Sequence, residues 1–471
     1  MRQNLGLPGN RQLFFCSKIH KITGFSIDTE RLMCYHIGII LKGLVFTMKI
    51  APSEKQTEFL DWEFGVFFHF GIRSFFPGHS DWDGQPMPAS AFNPVRLDCK
   101  QWIRTIKKAG ANYAILVCKH HDGFANWPSK YSDYSVAQSP WKGGNGDVVA
   151  EFVKACRLYD VKVGLYYSPA QWGGTVKFDE PAAYDDYFIN QISELLTNYG
   201  KIDYLWFDGC GSENHQYDMK RIIGTIRRLQ PGIRLIGKWD PDTRWIGNED
   251  GYADSPNRNT VERVEFSVFA KDGDTLGTTR WLPAECDMRM RTYAWFDCMS
   301  NEDTVRPLSE LVGIYEYSVG RGANLLLNIG PDSDGRLPKE DADRLAELGA
   351  EIRRRYGTPL PFGEPEKLKE NSWRIRTAEG MTVRNPWEVG CEHVGAVIIE
   401  EDIREGEHAE SFRVYASLPG NSDREICVFI GDTIGHKRIC RFPTIKTGAL
   451  RLEVTDSDGE FRLRAFRAYG E

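Results

Sequence analysis

The chain has 471 residues, 41% of them hydrophobic and 27% charged, which is enough for a large core and for two domains. Its net charge of −7 comes from intermixed acids and bases, leaving no basic stripe for nucleic acid and no polybasic face for a membrane. The 11 cysteines lack CxxC pairs, and Cys118 and Cys156 fall in apolar patterns where thiols act as small buried hydrophobes, so they are read as reduced and structural.

In chain order, the first 47 residues contain CYHIGIILKGLVF, an apolar stretch that begins near position 34 and is broken by Lys42. It lacks the placement and cleavage site of a signal peptide, so the expected location is the cytoplasm. The segment MKIAPSEKQTEFLDW from Met48 reads as a more natural beginning, and residues 1–52 are expected to be an extension outside the fold. No run of about 18 apolar residues suits a membrane span.

From residue 53 to about 362, strand-like and helix-like segments alternate. Apolar runs at 64–71, 112–120, 162–168, 204–209, 233–238 and 324–331 read as short strands buried on both faces. Between them, spacings of three and four (Trp102, Ile103, Ile106, Ala109; Val149, Phe152, Val153, Cys156; Phe188, Ile192, Leu195, Tyr199; Leu345, Leu348, Ile352) predict amphipathic helices. Repeated strand and helix units over this length predict an irregular (β/α)8 TIM-like barrel, with a doubly wound open sheet as the rival. No G-x-G-x-x-G follows the first strand to favour that rival. Residues 363–471 show short alternating segments spaced by Gly, Asn and Asp, and predict an all-β sandwich.

In such a barrel the chemistry sits where strands end. His69 ends the first apolar run, His120, His121 and Asp122 the second, Tyr166 and Ser168 the third, and Asp208 of YLWFDGCG the fourth. A carboxylate closing a buried strand is costly unless it is paired or used. KHHDG raises metal hydrolysis as an alternative, but adjacent strand residues face opposite sides, and no H-x-H or H-E-x-x-H accompanies them, so no metal and no cofactor are expected. A glycosidase needs two carboxylates flanking the scissile bond. Asp208 offers one, and Glu249 of RWIGNEDG or Glu285 of PAECDMRMR offers the other; spacing alone does not choose between them.

The motifs FGVFFHFGIRSF, HSDWDG, KHHDGFANWPSKYSDYSV, GLYYS, NYGKIDYLWFDG and SVGRGANLLLNIGPDSDGRL together resemble the α-L-fucosidases of glycoside hydrolase family 29, and IGDTIGHKRICRF is similar to that family's C-terminal sandwich. The resemblance implies a retaining, exo-acting hydrolase of terminal α-L-fucose whose partners are fucosylated oligosaccharides or glycoconjugates. It implies Asp208 as nucleophile, with Gly209 keeping the approach to the sugar clear. It also implies that His69, His120 and His121 hold fucose hydroxyls, Trp82 contacts the sugar and Tyr166 stands beside the nucleophile; Asp81 sits where many members carry Glu. RWIGNEDG and PAECDMRMRTYAWF resemble the subgroup acting on α-1,3 and α-1,4 linked fucose in branched glycans. That likeness favours Glu249 over Glu285 as acid/base, leaving Glu285 a substrate-binding candidate, with Arg244 steadying nucleophile or substrate and Trp295 lining the pocket. SPAQWGG and MRMRTYAWF depart from that subgroup's pattern. A non-catalytic fucose-binding relative and a glycosidase for another α-L-sugar, such as L-galactose, are the alternatives.

Overall fold

The computed structural model describes residues 50–79, 82–269, 274–297, 304–377, 390–419 and 421–470. The expected N-terminal extension lies, up to residue 49, outside the described residues, as does Asp81.

Among the described residues, ten strands precede the sandwich: β1 (Phe64–Phe68), β2 (Tyr113–Lys119), β3 (Lys162–Tyr167), β4 (Tyr204–Phe207), β5 (Arg234–Ile236), β6 (Arg244–Trp245), β7 (Thr260–Val264), β8 (Asp274–Trp281), β9 (Ala284–Arg289) and β10 (Asn324–Asn328). Eight of them form one parallel sheet in the order β5-β4-β3-β2-β1-β10-β9-β6, which curls into a nearly closed barrel. Its end strands are joined by a single bridge, Ile236 with Thr243, beside which the Asp242 amide donates to the Leu235 carbonyl at 2.9 Å. The helices are α1 (Glu54–Asp61), α2 (Cys99–Ala109), α3 (Val148–Leu158), α4 (Pro181–Asn198), α5 (Met219–Leu229), α6 (Leu308–Ser318) and α7 (Lys339–Tyr356). The spacings read in the sequence become the buried faces of α2, α3, α4 and α7. In α2 the Asp98 side chain accepts from the Gln101 amide and caps the helix start.

The period of two along each strand sorts its side chains into two cores. Inward residues Phe67, Tyr113, Ile115, Val117, Tyr166, Tyr204, Trp206, Ile236, Trp245 and Leu326 fill the barrel, which α1 plugs with Phe59 beside Trp62. The outward residues pack against the helices. Gly65 of β1 is dictated by this filling, because a Cβ there would lie 2.4 Å from the Tyr113 ring.

The alternation of strand and helix holds through β5 and then changes. No helix separates β5 from β6, and the antiparallel hairpin β7-β8 precedes β9. The apolar-run reading missed β6 and β9 for physical reasons. β6 is two residues long, and the inward face of β9 carries Glu285, Asp287 and Arg289 and so resembles a polar loop.

Beyond α7, strands β11 (Glu366–Lys369), β12 (Ser372–Arg376), β13 (Glu392–Glu401), β14 (Ala409–Leu418), β15 (Asn421–Gly431), β16 (Arg438–Thr447), β17 (Ala449–Ser457) and β18 (Leu463–Tyr469) build two antiparallel sheets, β11-β12-β17-β14-β15 and β16-β13-β18. These close over their own apolar core. His436 Nε2 lies 2.8 Å from Asp61 Oδ1, and Glu407 accepts from the Asn259 amide, so sandwich and barrel are joined by polar contacts.

Candidate active site

The same parity that fills the barrel sets its mouth. Phe67 and Trp206 point inward, so two residues on, His69 and Asp208 do too. In β2 the pairing with β3 slips between Val117 and Lys119, a bulge that turns Lys119 outward and brings His120 in. Lys119 is buried against the Tyr167 ring and donates to Gln171 Oε1 at 2.9 Å. Past Lys119 the strand has ended, so alternation no longer parts the two histidines. The ligand atoms of His120, His121 and Asp208 lie within 4.8 Å of one another. Contrary to the expectation from strand alternation, the two histidines therefore face one point that an ion could share.

Asp208 accepts from Tyr166 Oη at 2.7 Å on Oδ2 and from the Cys210 amide at 2.8 Å on Oδ1. His121 Nε2 stands 3.5 Å from Oδ2. The Ser168 hydroxyl donates to the Ala170 carbonyl at 2.6 Å, so its oxygen accepts from His121 Nδ1 at 2.6 Å and fixes that tautomer. Asn328 Nδ2 donates to the Trp295 carbonyl, which turns its Oδ1 toward His69 Nδ1 at 2.7 Å. His69 thus presents Nε2 as an acceptor. Burial, the largest cause, holds its pKa down at about 3, and burial also pushes His120 well below the usual histidine value. Both imidazoles are neutral at physiological pH and suited to bonding hydroxyls.

His69, His120, His121, Tyr166, Asp208, Glu249 and Trp295 line one pocket. Trp82, 41% exposed, stacks on the His121 ring at 4.7 Å and edges an adjoining basin of about 480 Å³. That basin shares Cys210, Glu249, Val268 and Trp295 with the inner pocket.

Two expected site residues lie elsewhere. Trp245 points into the barrel, so its neighbour Arg244 points out, and its guanidinium donates to Asn257 Oδ1 at 2.6 Å and to the Arg258 carbonyl at 3.0 Å. Glu285 faces inward but one layer too deep. It is fully buried and accepts from Tyr113 Oη at 2.8 Å, Trp206 Nε1 at 2.9 Å and Tyr204 Oη at 3.2 Å. Burial, partly offset by those donors, pushes its carboxyl up to about 7. Gly209 also serves a different purpose from the one read in the sequence: a Cβ there would sit 1.7 Å from the Phe266 carbonyl oxygen, so packing demands the glycine.

The sequence reading passed over Trp206, Trp245 and Asp287, which also line the pocket. Asp287 stands two residues above Glu285 on the same face and accepts from Trp245 Nε1 at 2.6 Å. Burial first, then the Glu249 charge, raise its carboxyl well above the usual range. Its signal was the i, i+2 spacing from Glu285.

Residues 86–355 match the family model described as alpha-L-fucosidase. The chain is 32% identical over 439 residues to Alpha-L-fucosidase 1 of Arabidopsis thaliana, covering 86% of this chain and 84% of that one. Among solved structures, it superposes with a TM-score of 0.78 and 31% identity on a glycoside hydrolase 29 family member from a rumen bacterium, covering 90% of this chain and 77% of that one. With a TM-score of 0.73 and 25% identity it also matches a Ruminococcus gnavus GH29 fucosidase in complex with fucose, covering 90% and 95%. With the family model matched over more than half of its length and a relative 32% identical over most of it, the chain belongs to the α-L-fucosidase family, glycoside hydrolase family 29.

Proposed function

We propose that this fucosidase works with retention, Asp208 attacking the anomeric carbon of terminal α-L-fucose while Glu249 protonates the leaving oxygen, and that it takes α-1,3 and α-1,4 linked fucose in branched glycans. One observation carries the assignment: Asp208 and Glu249 line the same pocket, with Tyr166 and the Cys210 amide aiming the first at its centre. The hydrogen bonds leave Asp208 acceptor-bound and pointing at the space where a sugar would sit, as a nucleophile requires. Glu249 borders the outer basin as well as the pocket, which suits a group that meets the leaving oxygen. Neutral His69 and His120 offer ring nitrogens to fucose hydroxyls, and Trp295 and Phe67 offer apolar surface to the ring and its methyl group.

Azide rescue tests the two roles separately. With an activated aryl α-fucoside, an Asp208→Ala variant should yield β-fucosyl azide, because azide replaces the missing nucleophile. A Glu249→Ala variant should yield the α-azide, because azide attacks the covalent intermediate. Rescue of Glu285→Ala in place of Glu249→Ala would reassign the acid. Linkage is tested by release of fucose from Lewis-type branched oligosaccharides against a linear α-1,2-fucosylated trisaccharide; faster release from the linear sugar overturns that part.

A further inference from the structure

We propose that the cleft between α6, the β10 approach and the start of β16, on the side of the barrel away from the active site, binds an anionic sugar unit bearing a carboxylate or sulfate. It is a cleft of about 430 Å³ lined by Tyr317, Arg321, Phe429, Arg438 and Arg441 together with Glu316 and Ile439.

Backbone pairing creates an unusual charge arrangement there. Arg321, three residues before β10, pairs across a single antiparallel bridge with Arg438, the first residue of β16, and the Ile439 amide donates to the Gly320 carbonyl at 3.0 Å. The bridge that joins barrel to sandwich therefore sets two guanidinium side chains directly opposite each other, where like charges oppose folding. Compensation is incomplete. Arg438 reaches Asp432 Oδ1 at 3.1 Å and Ser255 Oγ at 3.2 Å, while its buried Nη1 has no hydrogen-bond partner among the described residues. Arg321 donates to the Ala253 carbonyl at 2.5 Å and lies 4.3 Å over the Tyr317 ring; it makes no ion pair among the described residues. Glu316 is already shared by Arg355, Arg441 and the Tyr356 hydroxyl. Burial, followed by the Arg438 charge, lowers the Arg321 pKa, against the raising influence of Tyr317, Asp432 and Asp254.

An open guanidinium donor such as Arg438 Nη1 is the chemistry that holds carboxylate and sulfate oxygens. Tyr317, 54% exposed, and the half-buried Phe429 add aromatic faces of the kind that sugar rings stack on, which a bare inorganic anion would not use. The active site lies at the carboxyl ends of the strands, whereas Arg321 precedes the amino end of β10, so a glycan unit held here is separate from the fucose being cleaved.

The test is calorimetric titration of the full chain with D-glucuronic acid, galactose 6-sulfate, galactose and inorganic sulfate. The two anionic sugars should bind at least about tenfold more tightly than galactose or inorganic sulfate. Arg321→Gln should weaken them by about tenfold or more, and Tyr317→Ala should weaken the sugars and leave inorganic sulfate unchanged. Turnover of an aryl α-fucoside should stay within about twofold of wild type in both variants. Inorganic sulfate binding as tightly as the sugars overturns the sugar assignment; no binding, or binding unaffected by both variants, overturns the site. Should Arg321→Gln fail to fold, Tyr317→Ala at its exposed position decides alone.

Discussion

Glu285→Gln separates a carboxyl that supports the barrel from one that works at its mouth. Glutamine keeps the volume and an acceptor for Trp206 Nε1 while removing the titratable proton. The folded carboxyl titrates at about 7 against an ordinary value of 4.5. At 1.36 kcal/mol per pH unit, that difference is about 3 kcal/mol. The acid is raised, so the folded state holds the proton more tightly than the unfolded chain does. The cost of burying the charge is absent below pH 4.5, grows between 4.5 and about 7, and is complete above. The variant escapes it. Its unfolding free energy relative to wild type should therefore improve by about 3 kcal/mol between about pH 4.5 and pH 8, read from urea denaturation of both proteins at each pH. Loss of the Glu285 charge also eases ionisation of Asp287, which acts in the same direction. A difference that does not change with pH would refute the burial argument. Turnover of an aryl α-fucoside should remain within about tenfold of wild type, since the side chain is not at the pocket wall; a collapse of kcat in a folded variant would restore Glu285 to the site.

Other outcomes follow from the packing and the donors. Gly209→Ala drives a Cβ to 1.7 Å from the Phe266 carbonyl oxygen, so it should cost at least about 1–3 kcal/mol in urea denaturation and lower kcat/KM; a variant unchanged in both contradicts the close approach. Ser168→Ala strands the His121 Nδ1 proton, a penalty of about 1–3 kcal/mol, and should lower kcat/KM by about 5- to 100-fold without unfolding; activity within about twofold would mean that Ser168 does not orient His121. Exhaustive dialysis against EDTA should leave kcat/KM within about twofold, and a loss restored by zinc would make His120, His121 and Asp208 a metal site.

What the sequence disclosed follows the periodicities. Strands buried on both faces announced themselves as apolar runs, and the polar residues closing four of those runs, His69, His120, Tyr166 and Asp208, stand together at the barrel mouth. Long-range register is what stayed hidden. Arg244 looked available because it neighbours a pocket motif, yet the inward turn of Trp245 commits it to the opposite face. Glu285 and Asp287 differ by one barrel layer, a distinction that only pairing with β10 at Asn324 and Leu326 reveals. The β2 bulge that exchanges Lys119 for His120 left no mark in the residue pattern at all.

The incomplete closure of the barrel gives the two carboxylates of the proposed mechanism different supports. Asp208 follows β4, which is hydrogen-bonded to a neighbour on either side, whereas Glu249 follows a two-residue strand at the open margin. On the proposed assignment, the nucleophile follows a strand paired on both sides, and the proton donor follows one at the end of the sheet. On that assignment, substitutions around the margin are expected to change which leaving groups are accepted more than they change the hold on fucose.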